Sequence, residues 1–355
     1  MYHSLEKFRN SVTSNRIAYL DNFRAVTMLM VVGIHATGYA GLDMTHDVDR
    51  FLDFLVRTMA LQSFFFVDGY LFASKHNTPF TYRLYLTKST KRILLPWLIF
   101  SGIYFLARIA FESRGFFSEN LILGRSLGDV AICFYASRMA QQIYFLLSLF
   151  IVRTLSFALY RLSFAPSFIM VLAFICYATI FKTFIIHVPH LQGDPIFAAA
   201  GGLQYYLLGI VFYKYRDTIR RFSGHIIVLS VFAIILYTVV DHLGSWVPNR
   251  KDFLVKCFYL IGTYCFIMVL TKSRSRNIVS SIGTHTMEIF LLHQPIMMKA
   301  VTIVVFAVLS NRLAGFAIIM MSSYFGSFLL GMIIQRFPYG SLLFGRASPS
   351  YNSKP

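Results

Sequence analysis

Apolar runs of about 17 to 25 residues, each long enough for a helix to cross a bilayer, recur along the whole chain. They fall near residues 24–42, 51–73, 93–111, 141–160, 166–186, 197–214, 224–243, 253–271, 282–306 and 313–335. Connections are short except over residues 112–140, where Glu112, Arg114, Glu119, Arg125, Asp129 and Arg138 make a mixed loop. The pattern predicts an all-α integral membrane protein with about ten transmembrane helices. No stretch between the runs is long enough for a separate soluble domain. The expected organisation is a cytoplasmic segment over residues 1–18, a single transmembrane domain over 19–337 and a cytoplasmic tail over 338–355. Residues 1–18 are polar and basic, and the first apolar run is too long for the h-region of a cleaved signal. The first helix is therefore expected to be a retained signal anchor.

Composition agrees: 57% of the 355 residues are hydrophobic and 14% charged, too little polar surface to solvate a globular domain of that size. The formal charge of +18 invites a nucleic-acid reading, but its distribution decides against one. Lys7, Arg9 and Arg16 precede the first run; Lys75, Arg83, Lys88, Lys91 and Arg92 lie between the second and third. Further basic groups follow at Arg153 and Arg161, at Lys214, Arg216, Arg220 and Arg221, at Lys272, Arg274 and Arg276, and at Arg336, Arg346 and Lys354. The alternate loops are mixed or acidic, as in Asp43, Asp47 and Asp49. By the positive-inside rule both termini are expected in the cytoplasm, and the plain role of most of these cations is orientation and contact with anionic lipid.

The first run, YLDNFRAVTMLMVVGIHATGYA over residues 19–40, holds the most informative polar group, His35. An ionisable side chain at membrane depth is costly and marks a functional site. Arg24 and His35 are eleven positions apart, almost three whole helical turns, so they share a face about 16 Å apart along the axis. A basic cytoplasmic face can bind a soluble anionic molecule, because Arg and Lys hold phosphates through charge-assisted hydrogen bonds. Coenzyme A has the required shape: its nucleotide end would stay near Arg24, Lys91 and Arg92 while the thin pantetheine arm carried a thioester up to His35.

Several motifs together resemble the acyltransferase 3 family of integral membrane acyltransferases. The Arg24-to-His35 spacing follows Asp21 in LDNFRA, and Phe64 to Gly69 is similar to the FFxxSG element of that family's second helix. KSTKRILLPW at 88–97, YFLLSLF at 144–150 and SIGTHTMEIFLLHQP at 281–295, which ends in His293-x-Pro295, resemble its third, fourth and late helices. Asp68 departs from the pattern by standing where the family usually has Ser. A carboxylate there needs a partner or a proton, and Arg24 and His35 are the nearest candidates.

The resemblance implies an O-acyltransferase of a bacterial inner membrane, moving an acetyl group from acetyl-CoA to a hydroxyl of a polysaccharide or lipid-linked saccharide, with no metal and no nucleic acid. His35, Arg24 and Asp21 are the expected catalytic residues, and Arg24, Lys91 and Arg92 the expected cofactor-binding ones. Asp68, Gly69, Glu288 and His293 are expected around the substrate cavity. A neutral imidazole suits removal of a hydroxyl proton during attack, or could itself carry the acyl group; the sequence leaves both open. Each residue also has a plain reading: His35 as an interhelical hydrogen-bonding group, Arg24 as an interfacial anchor, His293 as a packing residue. Pro295 leaves a backbone carbonyl without its helical partner.

Remaining signals are weak. HLQGD at 190–194 fits a His-xxx-Asp pattern of some soluble acyltransferases but falls in an expected outer loop, and Cys133, Cys176, Cys257 and Cys265 lack metal-ligand spacing. No phosphate-binding GxxxxGK[ST] or GxGxxG fingerprint is present. The alternative function is a secondary transporter or flippase for a glycan precursor, with His35, Asp68 and His293 as a buried proton relay.

Overall fold

The computed structural model describes residues 17–346 apart from residues 44, 76–81, 118, 162–193, 243–250, 272–277 and 310. Its regular structure is entirely helical among the described residues. In chain order the helices are α1 (Ala18–Tyr39), α2 (Asp47–Lys75), α3 (Tyr82–Ser89), which runs through a wide turn at Thr90–Leu94 into α4 (Leu95–Glu112), and α5 (Leu127–Tyr135). Then come α6 (Tyr144–Arg161), α7 (Pro195–Lys214), α8 (Arg216–Arg221), α9 (Ser223–His242) and α10 (Lys251–Leu270). The last are α11 (Ile278–Gly283), α12 (Thr286–Leu292), a kinked turn at His293–Met297, α13 (Met298–Val308), α14 (Arg312–Arg336) and α15 (Gly340–Leu343).

Among the described residues, four helical stretches are long and apolar enough to cross a membrane: Tyr82–Glu112, Pro195–Lys214, Thr286–Val308 and Arg312–Arg336. Exposed Val228, Phe232 and Leu236 on α9, Ile303 and Val304 on α13, and Leu329 and Ile333 on α14 give the bundle an apolar exterior suited to lipid. The expected span at 166–186 lies outside the described residues.

Local sequence explains the helix ends. Ser126 caps α5 by accepting from the Asp129 amide, while the Asp129 carboxylate accepts from the Ser126 hydroxyl. Asp194 caps α7 just before Pro195, and Asn311 caps α14. α1 stops where Gly41 takes φ +63° and the Leu42 amide reaches back to the Thr37 carbonyl, a left-handed C-terminal closure that favours glycine. In HLQGD, Asp194 is thus a helix cap that also accepts a hydrogen bond from the Tyr135 hydroxyl at 3.3 Å; His190 lies outside the described residues.

α1 is the hub, packed against α2, α10, α11, α12 and α14. Surrounded by protein, it tolerates polar residues that lipid would penalise: Asn22 donates to Thr271 at 3.0 Å, and the α1 carbonyl of Ala25 accepts from Tyr324 of α14 at 2.8 Å. α2 and α7 cross at close range. A Cβ built on Gly69 would lie 1.9 Å from the Tyr206 carbonyl oxygen, and one on Gly209 would lie 2.0 Å from that of Phe66. Small residues let these backbones touch. Phe66 then packs edge-on against Phe212 and Tyr264, at 5.2 and 5.3 Å between ring centres. The residues just past 338 pack against the bundle. Phe344 is buried beside Phe100, and Arg346 pairs with Glu288 at 2.7 Å.

Candidate active site

His35 and His293 meet. Their ring centres are 5.3 Å apart, tilted at 46°. His35 is half-buried on the unbroken helix α1, whereas His293 is fully buried at the start of the kink after α12. The helix breaks at Gln294, whose φ of −131° and ψ of 139° are not helical. Pro295 has no N–H to give the carbonyl four residues back, that of Leu291. The Tyr104 hydroxyl of α4 supplies the missing donor, at 2.9 Å from that carbonyl and 3.2 Å from that of Gln294. Gln142 also donates to the Gln294 carbonyl. The orphan carbonyl expected from Pro295 is therefore satisfied by side chains from neighbouring elements.

Arg57 of α2 acts electrostatically on His35. Its guanidinium is held by Asp53 at 2.6 Å, and Asp53 in turn accepts from Thr37, two residues beyond His35 on α1. Gly33 admits this approach, since a Cβ there would lie 2.8 Å from Val56.

At the other end of α1 a second polar centre forms. Asp21 and Arg24 pair across one turn at 3.7 Å, and Asp21 is fixed by α11, where a Cβ on Gly283 would lie 1.8 Å from its carbonyl oxygen. Arg24, Arg92, Arg153 and Asp68 all act electrostatically on Lys75. Four cations thus gather with the carboxylates of Asp21 and Asp68 where α1, α2 and α6 meet the turn before α4. Gly345 presses on the Arg92 backbone, a Cβ there lying 2.6 Å from the Arg92 carbonyl oxygen. Lys91 and Arg92 are both exposed, and of the two only Arg92 is among the charges acting on Lys75.

The expected site residues therefore divide. His35 and His293 come together, and Asp21, Arg24 and Arg92 share the basic centre. Asp68 belongs with that centre too, but its partner is neither Arg24 nor His35. Arg153 of α6 binds both of its oxygens, with Nε at 2.5 Å from Oδ2. Asp68 lies eleven residues along α2 from Arg57, about 16 Å, so the relay expected of His35, Asp68 and His293 is not assembled as a contiguous group. Gly69 is a helix-crossing residue rather than a cavity wall. Glu288 faces away from the histidine pair: it receives Gln335 of α14 and Arg346, and a Cβ on Gly331 would lie 2.5 Å from its own Cβ. Among the described residues no three His, Cys, Asp or Glu side chains converge as a metal ion's ligands would.

Arg153 reads in the sequence as one more loop cation, yet it sits inside α6 after a run of apolar residues, and its place within the apolar run at 141–160 was the available signal. Tyr104, Gln142 and Arg57 carry no local signal, because their roles come from elements distant in the chain.

The match of a family model adds to this geometry. The acyltransferase 3 model, described as an acyltransferase domain, covers residues 17–332, which takes in both the basic centre and the histidine pair. Comparison with curated proteins and with solved structures finds no match. The chain, a multi-pass helical membrane protein, belongs to the acyltransferase 3 family.

Proposed function

We propose that this protein moves an acetyl group from cytoplasmic acetyl-CoA to a hydroxyl of a polysaccharide or lipid-linked saccharide, with about ten helices crossing a bacterial inner membrane and both termini in the cytoplasm. Family membership supports acyltransferase chemistry. One observation carries the finer reading: a single unbroken helix, α1, bears Arg24 within a cluster of cations and, eleven residues on, His35 within a pair of imidazoles.

The residues of the basic centre suit the phosphates of coenzyme A. Arg24, Lys75, Arg92 and Arg153 outnumber the carboxylates of Asp21 and Asp68, and phosphate oxygens accept charge-assisted hydrogen bonds from such groups. With the nucleotide held there, the pantetheine arm runs along the Arg24 face of α1 toward His35. His35 removes the proton of the acceptor hydroxyl as its oxygen attacks the thioester carbonyl. The new C–O bond forms, the C–S bond breaks, and the proton passes to the departing thiolate.

The test uses purified full-length protein in vesicles with [14C]acetyl-CoA and a saccharide-lipid extract. Label should pass to the extract, and His35→Ala should abolish transfer while leaving the protein folded in the membrane. Normal turnover in that variant would remove His35 from the chemistry. Label that stays covalently bound to the wild-type protein, and is lost in His35→Ala, would replace the base by an acyl carrier.

A further inference from the structure

We propose that His293 is the positioning residue of His35: its Nε2 accepts a hydrogen bond from the His35 ring N–H. That bond fixes the tautomer that turns a basic nitrogen to the reacting hydroxyl, and it steadies the imidazolium formed during attack. The inference rests on the role proposed above for His35.

The tautomer of His293 follows from its partner. Its Nδ1 lies 3.0 Å from the Ile289 carbonyl oxygen, and a carbonyl only accepts, so Nδ1 carries the hydrogen. A neutral imidazole protonated there presents a lone pair at Nε2. That atom is buried and has no hydrogen-bond partner among the described residues, on a side chain with 0% exposure. Buried acceptors without partners are uncommon and cost stability, so this one calls for a donor.

His35 is the donor within reach. An imidazole nitrogen lies about 1.2 Å from its ring centre, so an N–H···N bond of about 3 Å between rings meeting edge to edge spans about 5.4 Å from centre to centre. The observed separation is 5.3 Å, so the proposed bond requires the His35 ring to turn one nitrogen toward Nε2. Among the described residues nothing else hydrogen-bonds the His35 ring.

The two rings differ in how they are held. His293 is anchored by its own helical carbonyl and by a kink whose carbonyls are gripped by Tyr104 and Gln142. His35 is half-buried on α1. A fixed acceptor behind a working imidazole is the arrangement by which a third group orients the base in hydrolytic triads, here with a neutral acceptor in place of a carboxylate. During the reaction the hydroxyl proton goes to the far nitrogen of His35 and then to the thiolate. His293 keeps its own proton throughout.

Two measurements on the full-length protein test the inference. The first is steady-state release of CoA thiol from acetyl-CoA, with water as acceptor. His293→Leu should lower kcat about 100-fold, the lower end of general-base effects, with KM for acetyl-CoA unchanged. His293→Gln, whose amide oxygen can accept the bond, should restore most of the loss. Equal losses in the two variants, or a change confined to KM, would overturn the proposal. The second is nitrogen NMR of protein labelled with [15N]histidine, the His35 signals being assigned by their loss in His35→Ala. A single His35 tautomer in the wild type should become a mixture in His293→Leu; identical His35 shifts would also overturn it. Full turnover in His35→Ala would defeat the base reading by itself, while the NMR comparison still decides whether His293 holds the ring.

Discussion

Arg153 on α6 grips both carboxylate oxygens of Asp68 on α2, and Asp68 is only 6% exposed. Truncating one partner leaves the other charge buried and unpaired. Arg153→Ala should therefore cost about 3–5 kcal/mol, read as a fall in unfolding temperature in detergent. The double variant Asp68→Ser/Arg153→Leu removes both charges and should recover most of the loss. If the single and double variants unfold alike, the ion pair is not what joins α2 to α6.

The α2–α7 crossing depends on missing side chains. Gly69→Ala would drive a Cβ to 1.9 Å from the Tyr206 carbonyl oxygen, against backbone that cannot step aside. The variant should fail to assemble, with little monodisperse protein on size-exclusion chromatography. Gly38→Ala is the control: nothing lies within 4 Å of its Cβ, and replacing a helical Gly with Ala gains about 0.5–1 kcal/mol. A well-folded Gly69→Ala protein would show that the helices can part there.

Tyr104 supplies the donor that Pro295 lacks. Tyr104→Phe keeps the ring but leaves the Leu291 carbonyl unpaired, an expected cost of about 1–3 kcal/mol. Because the same hydroxyl also holds the Gln294 carbonyl next to His293, turnover should fall along with the unfolding temperature. A variant that is destabilised yet fully active would separate the kink from the histidine pair.

The basic centre should recognise the nucleotide end of the donor and not its thioester. Arg24→Ala and Arg92→Ala should each raise KM for acetyl-CoA about tenfold or more, the worth of a hydrogen bond to a charged group. Neither should alter kcat/KM for acetylpantetheine, a donor without phosphates. Lys91→Ala, which removes a charge that is not among those acting on Lys75, should leave both donors unaffected. Equal losses with both donors would move Arg24 and Arg92 from phosphate binding to the architecture of the bundle.

The solvent of this protein and the axis of its site are legible in the order of its residues. Hydropathy made the chain a helical membrane protein, and the eleven-residue interval put Arg24 and His35 on one face, because a helix has a fixed period. Residue order also marked Pro295 as the place where a carbonyl loses its partner. Which polar groups meet depends on the packing of the helices. Asp68 was legible as a charge needing a partner, but Arg153 lies 85 positions away and is adjacent only because α6 and α2 both pack on α7. Glu288 stands five residues before His293, yet the helical period turns it toward Gln335 and Arg346 instead. His293 joined His35 because α12 lies against α1 and its kink is held open by Tyr104 and Gln142. Period and polarity are local properties of a chain; the pairing of buried polar groups is fixed by which helices touch.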